Sequence, residues 1–476
     1  GLTTINVRNH IVILGWTNRT PDIVRELLAS EERLQKFLKE RRQKRIRIAI
    51  LAERVTDDVT QELQDHMGPL WEKDKLIVRS GSALRLEHLA RVNFTRAAAI
   101  ILPASDFLDE GGLGSDTRVI KTIMAMANSV KLIKEKDERV PLLVAELGDA
   151  RKISGVQRAY AGPLEVMTGE RIIGRLISQT IRHRGLSRVY YELMTSRFGC
   201  ELFIRSAPVD LLGKAFADLS SAFPRAVPIG YIRDENGEHS IMLNPMPTDP
   251  LREDERLVYI ANEESAGFDL VEPEERDWSK DQVEVLTPDA EDVRVLLIGW
   301  NRRVPAILED MDRYRDANYT VEILARVPVE EREQILREYD FHPKHLKLSH
   351  TLADFTAPRV IENARPAECG AVIMVASDRM DSEEEADART LVGGLLLREA
   401  LRGADRVPEI VVEAMDVATA QLLDDFDCDV LVTPMILSHL IGQVALRRDL
   451  NMAVEMLFGS RENEIGFCPA EELDLV

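Results

Sequence analysis

His10-Ile11-Val12-Ile13-Leu14-Gly15-Trp16 returns far downstream as Arg294-Val295-Leu296-Leu297-Ile298-Gly299-Trp300. Each run is followed by a proline, Pro21 or Pro305, that opens a helical pattern. Further anchors repeat in the same order. Ile50-Leu51-Ala52 matches Ile323-Leu324-Ala325, and Ala104-Ser105-Asp106 matches Ala376-Ser377-Asp378. Val140-Pro141 with Glu146 matches Val407-Pro408 with Glu413, and Leu176-Ile177-Ser178-Gln179 matches Leu440-Ile441-Gly442-Gln443. Self-similarity of this kind means two copies of one domain.

Within the first copy, apolar β-rich runs near 10–16, 46–52, 75–79, 97–102, 140–146 and 164–167 alternate with helical patterns at 21–40, 57–66, 84–92, 116–130 and 170–184. Nearly continuous apolar strands are buried on both faces, which requires a parallel sheet covered by helices. The fold class is therefore α/β, two tandem Rossmann-like domains with parallel sheets. Residues 198–262 break the rhythm. Short strands at Glu201–Arg205, Val227–Arg233 and Arg256–Ile260 around a helix near Asp210–Ala222 predict a small α+β lobe. Glu263–Asp292 holds twelve acids against Arg276 and Lys280, and reads as a solvated linker. The expected organisation is a first Rossmann-like lobe over 1–196, the small lobe over 197–262, the linker over 263–292 and a second Rossmann-like lobe over 293–476.

The 476 residues carry a net charge of −21, which disfavours nucleic acid as a partner. Cys200, Cys369, Cys428 and Cys468 form no C-x-x-C pair, so reduced thiols are expected. No apolar run approaches the 18 residues of a membrane helix. The chain begins Gly1-Leu2-Thr3 and reads as a piece of a longer protein.

A dinucleotide site needs glycines after the first strand so that backbone N–H groups reach the pyrophosphate. Only Gly15 and Gly299 fit that pattern, and Trp16 and Trp300 stand where bare backbone is needed. NAD or another nucleotide is therefore not expected. The residues placed to touch one are Gly15, Trp16, Arg19 and Glu53 in the first copy and Gly299 and Arg302 in the second. Arg19, Arg302 and Arg303 at the helix starts are candidates to hold an anion.

The fourth strand of each copy runs into acid at the carboxyl end of its sheet, the usual ligand crevice. Asp106, Asp109, Glu110 and Asp116 follow in the first copy, Asp378 and Asp381 in the second, and Glu146 and Glu413 end the fifth strands. Clustered carboxylates in loops suit Ca²⁺, and these eight are its candidate ligands. Asp116 and Asp387 also fit as acids at helix N-termini. No G-x-S-x-G, Walker loop or H-E-x-x-H is present, and nothing pairs a nucleophile with a base, so an enzyme is not expected.

These motifs resemble the regulatory region of the Castor/Pollux family of ion channels and, more distantly, TrkA-like RCK domains. The residues that carry the resemblance are the Gly15-Trp16 and Gly299-Trp300 turns and Arg79-Ser80-Gly81-Ser82 with Leu89. To these belong Ala104-Ser105-Asp106 with Ser115-Asp116-Thr117-Arg118, Ala376-Ser377-Asp378 with Ala386-Asp387-Ala388-Arg389, and Val144–Asp149. The resemblance implies a ligand-sensing gating ring at the cytoplasmic face of a membrane. Four chains would sit below a cation pore whose membrane segments lie upstream of Gly1, with Ca²⁺ as regulator. It also implies that the helices near Gly169–Arg184 and Pro434–Arg448 are crossover helices that pair domains. The alternative is a nucleotide-sensing regulatory subunit of a potassium transport system.

Overall fold

A computed structural model describes residues 2–29, 31–72, 74–107, 115–136, 138–194, 199–235, 238–273, 291–315, 317–459 and 465–467. Strands β1 (Ile11–Leu14), β2 (Ile48–Ala52), β3 (Leu76–Ser80), β4 (Ala99–Leu102), β5 (Leu142–Glu146) and β6 (Leu164–Met167) form one parallel sheet in the order β3-β2-β1-β4-β5-β6. This is the doubly wound Rossmann order, with its switch point between β1 and β4. Every residue of β1, β2, β4 and β5 is buried, as the apolar runs require.

The four strands of the small lobe are β7 (Glu201–Ser206), β8 (Ala226–Glu235), β9 (Glu238–Leu243) and β10 (Glu255–Ala261). They make an antiparallel sheet in the order β7-β10-β8-β9. The second Rossmann sheet repeats the first. It comprises β11 (Glu291–Ile298), β12 (Ala317–Ala325), β13 (Lys347–Leu352), β14 (Ala371–Met374), β15 (Glu409–Ala414) and β16 (Asp429–Val432), ordered β13-β12-β11-β14-β15-β16. The duplication read from the sequence is thus a duplication of topology.

The chain divides into two compact units. One contains both Rossmann lobes, Gly1–Ser187 with Ala290–Arg448; the other contains Arg188–Asp289 with Asp449–Val476. These limits differ from the expected boundaries at 196 and 476. In the second unit the segment after Asp449 joins the small lobe, where the ring of Phe458 meets that of Tyr190 edge-on at 5.9 Å. The core of the lobe is Phe203, Leu219, Leu257 and Tyr259, with Phe203 and Tyr259 stacked at 5.6 Å.

The principal helices of the two Rossmann lobes are α1 (Thr20–Ala29), α2 (Ser115–Glu135), α3 (Gly169–Thr180), α4 (Val304–Met311), α5 (Glu383–Ala400) and α6 (Thr433–Leu446), and α1, α3, α4 and α6 pack the lobes against each other. Helix α3, leaving β6 of the first lobe, packs on α4 of the second. Helix α6, leaving β16, packs on α1 of the first. The exchange is a pseudo-two-fold one, in which the equivalent acids Asp310 and Glu26 are each held by a side chain of the incoming helix. Ser178 donates to Asp310, while Gln443 donates to Glu26 at 2.9 Å. Arg184 pairs with Asp427, and Arg448 with Glu165 at 2.7 Å. Ile172, Ile173, Leu176 and Ile177 of α3 and Ile436, Leu440, Ile441 and Val444 of α6 are all buried. Burying each such side chain stabilises by about 1.5–3 kcal/mol.

The tightest approach in this packing is at Gly174, where an added Cβ would lie 2.8 Å from Ala306 Cβ and 3.1 Å from its carbonyl carbon. Gly174→Leu is expected to cost about 1–3 kcal/mol by overpacking. Gly155→Ala, with nothing within 4 Å of the added carbon, is expected to be neutral or stabilising by up to about 1 kcal/mol. Urea unfolding of the two variants beside the parent checks both expectations.

Candidate functional site

The turn after β1 decides what occupies the first crevice. Gly15 has φ 113° and lets the chain leave the strand. Thr17 N–H then donates to Thr20 Oγ1 at 2.9 Å, which starts α1. Arg19 is thereby aimed inward, and its side chain is 1% exposed. Its Nε pairs with Asp106 Oδ2 at 3.1 Å, and its Nη2 donates to Ala104 O and to Glu146. Glu146 in turn accepts from Ala104 N–H at 3.1 Å. The guanidinium therefore fills the space between the carboxyl ends of β1, β4 and β5, the place where this fold seats a pyrophosphate.

The second crevice is closed by different atoms. Gly299 has φ 95°, and an added Cβ would lie 2.5 Å from Val375 O, so only glycine fits. Trp300 is buried. Asn301 Nδ2 donates to Ala376 O at 2.7 Å and to Glu413 Oε2 at 2.8 Å. Glu413 also accepts from Ala376 N–H at 3.2 Å and Thr433 Oγ1 at 2.7 Å.

The carboxyl ends of the two sheets face each other, and the residues after Gly299 cross between them. Arg303, 2% exposed, pairs with Glu413 Oε1 at 3.0 Å in its own lobe and with Asp106 in the other. The backbone N–H of Arg302 donates to Asp378 at 3.0 Å. Its side chain reaches Ser105 O and stands 3.3 Å from Glu170 Oε1. In return Asn18 Nδ2 donates to Asp106 at 3.0 Å and to Glu383 of the second lobe at 2.7 Å. Tyr339 donates its hydroxyl to Glu170 at 2.7 Å.

The arginines expected to hold an anion thus hold the chain's own carboxylates. Of the expected metal ligands, Asp106, Glu146 and Glu413 are brought together, but around Arg19 and Arg303. Asp378 holds the backbone of Arg302. Asp116 accepts from Gly148 N–H at 2.7 Å and Asp149 N–H at 3.0 Å, and Asp387 accepts from Met415 N–H at 2.8 Å and Asp416 N–H at 3.0 Å. Both aspartates therefore fasten the turn after the fifth strand. Asp381 is exposed and apart from the network. Asp109 and Glu110 lie outside the described residues. Among the described residues no group of three or more His, Cys, Asp or Glu is placed to hold a metal. Glu53 pairs on the surface with Arg118 at 3.2 Å, and Trp16 is half-buried beside its turn. Sequence reasoning missed Asn18, Asn301, Glu170 and Tyr339. The polar residues at matched offsets after Gly15 and Gly299 were the available signal.

Burial sets the electrostatics of the network. It opposes the charge on Arg303, but Glu413 and Asp106 reverse that and hold its pKa above the usual arginine value. Burial likewise opposes the Asp106 anion, and Arg19, Arg303 and Arg302 hold its pKa below the usual carboxylate range. For Glu170 burial wins over Arg302, and its pKa is pushed up to about 7. Burial also raises Glu383 to about 7.

Comparison with known proteins agrees with this architecture. Residues 170–273 match the family model described as Castor and Pollux, part of voltage-gated ion channel. The chain is 23% identical over 99% of its length to the probable ion channel SYM8 of Pisum sativum, of which it covers 54%. It is 24% identical over 98% of its length to the ion channel CASTOR of Lotus japonicus, of which it covers 56%. The chain therefore spans about half the length of these curated relatives. Among solved structures, the human SLO3 gating ring superposes with a TM-score of 0.61 at 12% identity, covering 94% of this chain and 83% of that one, a likeness of fold. The resemblance to the Castor/Pollux channels holds. Among the described residues no helix is long and apolar enough to cross a membrane.

Two outcomes follow from the network. Arg303→Met leaves Asp106 and Glu413 facing each other without their shared cation, and is expected to lose about 3–5 kcal/mol of unfolding free energy. Restoring neutrality with Asp106→Asn in the same chain should recover part of that loss, a coupling read by a double-mutant cycle. Glu170 keeps its proton in the folded chain up to about pH 7, whereas the unfolded chain releases it near the ordinary glutamate value of 4.5. Its contribution to stability is therefore full below about 4.5 and falls as pH rises through about 7. Glu170→Gln should flatten that part of the stability–pH curve and be relatively most stabilising at pH 8, as thermal melts from pH 5 to pH 8 would show.

Proposed function

We propose that this chain, a relative of the Castor and Pollux channels across nearly its whole length, is the ligand-sensing ring region of a cation channel and not an enzyme. The observation that carries the reading is the crevice-to-crevice closure of two duplicated lobes through Arg303, Asp106 and Glu413. A nucleotide enzyme keeps its crevice open for substrate. Here the chain's own side chains occupy it, and what remains adjustable is the pairing of the two lobes. A ligand shifts such a device only by binding one arrangement of the lobes better than the other.

In this reading four chains form a ring at the cytoplasmic face of a membrane, below pore segments that precede Gly1. The relatives, ion channels longer than this chain, support a pore elsewhere in the same protein. Calcium is the proposed ligand. Its site would have to be assembled on binding, from carboxylates such as Asp381 that the arginines do not consume. The filled first crevice supports the expectation that NAD and other nucleotides are not its ligands.

Light scattering of the purified chain is expected to give the mass of a tetramer, and a monomer at tens of micromolar protein would reject the ring. Reconstituted full-length protein should pass potassium into liposomes. Millimolar-scale calcium, suited to a weak site, should raise the melting temperature of the chain by mass action. Asp381→Asn should remove part of that rise, and superimposable melts with and without calcium would remove calcium from the reading.

A further inference from the structure

Lobe 2 contains a cavity of about 600 Å³ at the end of its sheet opposite the crevices, between the C-terminal half of α5, the start of β15 and the segment Leu423–Cys428. Its walls are Leu397, Leu401, Ile410, Val412, Leu423 and Phe426. All but Phe426 are buried. A cavity of this size and lining is of the kind that binds small apolar molecules, which a few polar groups orient. Gly394 forms part of the wall, and an added Cβ there would already touch Leu423 at 3.4 Å and Phe426 at 3.6 Å.

The mouth carries charge, most of it spent. Arg402 pairs with Glu399 at 3.3 Å, and Asp427 pairs with Arg184. Arg398 remains. Its guanidinium lies 4.3 Å over the ring of Phe426, on the cavity's own wall, and among the described residues it has no carboxylate partner. Asp425 is the lining carboxylate without a cation among the described residues. Cys428 offers no covalent chemistry, because burial pushes its thiol up to about 12 and keeps it protonated.

We propose that this cavity is a binding site for a small amphipathic anion, its apolar body against Leu397, Ile410, Val412 and Leu423 and its acid head on Arg398. The cavity wall is also a structural joint. Just beyond it Asp429 accepts from Gly185 N–H at 2.9 Å and from Ser187, which lie past the end of α3 of lobe 1. An occupant that props this wall therefore bears on the clasp between the lobes. The binding itself stands independently of the channel reading.

Calorimetry with dodecanoate on the intact chain tests the site. We expect one saturable event per chain at micromolar concentration. Arg398→Gln should weaken it about tenfold, Gly394→Leu should abolish it, and Asp425→Asn should tighten it several-fold by removing the competing charge. 1-Dodecanol should bind at least tenfold more weakly than dodecanoate. The proposal is overturned by the absence of saturable binding, by equal affinity for the alcohol, by tighter binding of dodecyltrimethylammonium, or by affinity indifferent to both Arg398→Gln and Gly394→Leu. Arg398→Gln is a surface change, so its result stands even where Gly394→Leu fails to fold.

Discussion

One guanidinium, that of Arg303, holds the two halves of this chain in register. It is fully desolvated and shared between Asp106 of the first lobe and Glu413 of the second. An isolated buried cation of this kind is untenable, and two buried carboxylates without it are equally so. The surroundings meet that demand from both sides. Asn301, Thr433 and the Ala376 N–H take the remaining oxygen sites of Glu413, and Arg19 and Asn18 take those of Asp106. Buried ion pairs contribute little net free energy compared with apolar packing, whereas a misaligned register would leave these charges buried and unpaired at a cost of about 3–5 kcal/mol. The apolar faces of α3 and α6 supply the attraction; the network decides how the faces align.

The duplication makes the solution asymmetric in an instructive way. The two turns have the same backbone, a left-handed glycine after the first strand, yet different side chains follow. Arg19 folds back into its own crevice, whereas its counterpart Arg303 crosses to the other lobe. Two inward-folding arginines would leave Asp106 with one cation and the lobes with none in common. Two crossing ones would leave the first crevice without its filling. The pair as found uses each arginine for one task.

Much of the fold was legible because its signals are local. Six apolar runs in the first copy gave its strands, and the order of anchors extended them to the second. Strand β9 escaped notice, although Asn236-Gly237 is a strong hairpin signal. The site was legible only in part. Gly15, Asp106, Glu146, Asp378 and Glu413 were picked out from their places at or just after strand ends and Arg19, Arg302 and Arg303 from helix starts, and all but Gly15 enter the network as donors or acceptors. Their partners were not legible, since no spacing rule says that Arg303 meets Asp106 in the other copy. Acidic loops read alone look like cation sites. In the folded chain much of that acid meets arginines from elsewhere in the sequence. Glu170 was invisible for a related reason: in sequence it is an ordinary acid in the first turn of a helix, and only burial beneath Tyr339 makes it unusual.

The small lobe is assembled from two stretches of chain that have the whole second Rossmann lobe between them. Phe458, which abuts Tyr190, is made long after β7 to β10 have left the ribosome. At about 5–20 residues per second, that sheet must wait many seconds for its last partner. Contacts between residues so distant in sequence also close slowly for entropic reasons. During that interval the surface awaiting Phe458 is an apolar patch on a nascent chain. The order of synthesis therefore lets this lobe mature no earlier than the Rossmann lobe translated between its two stretches.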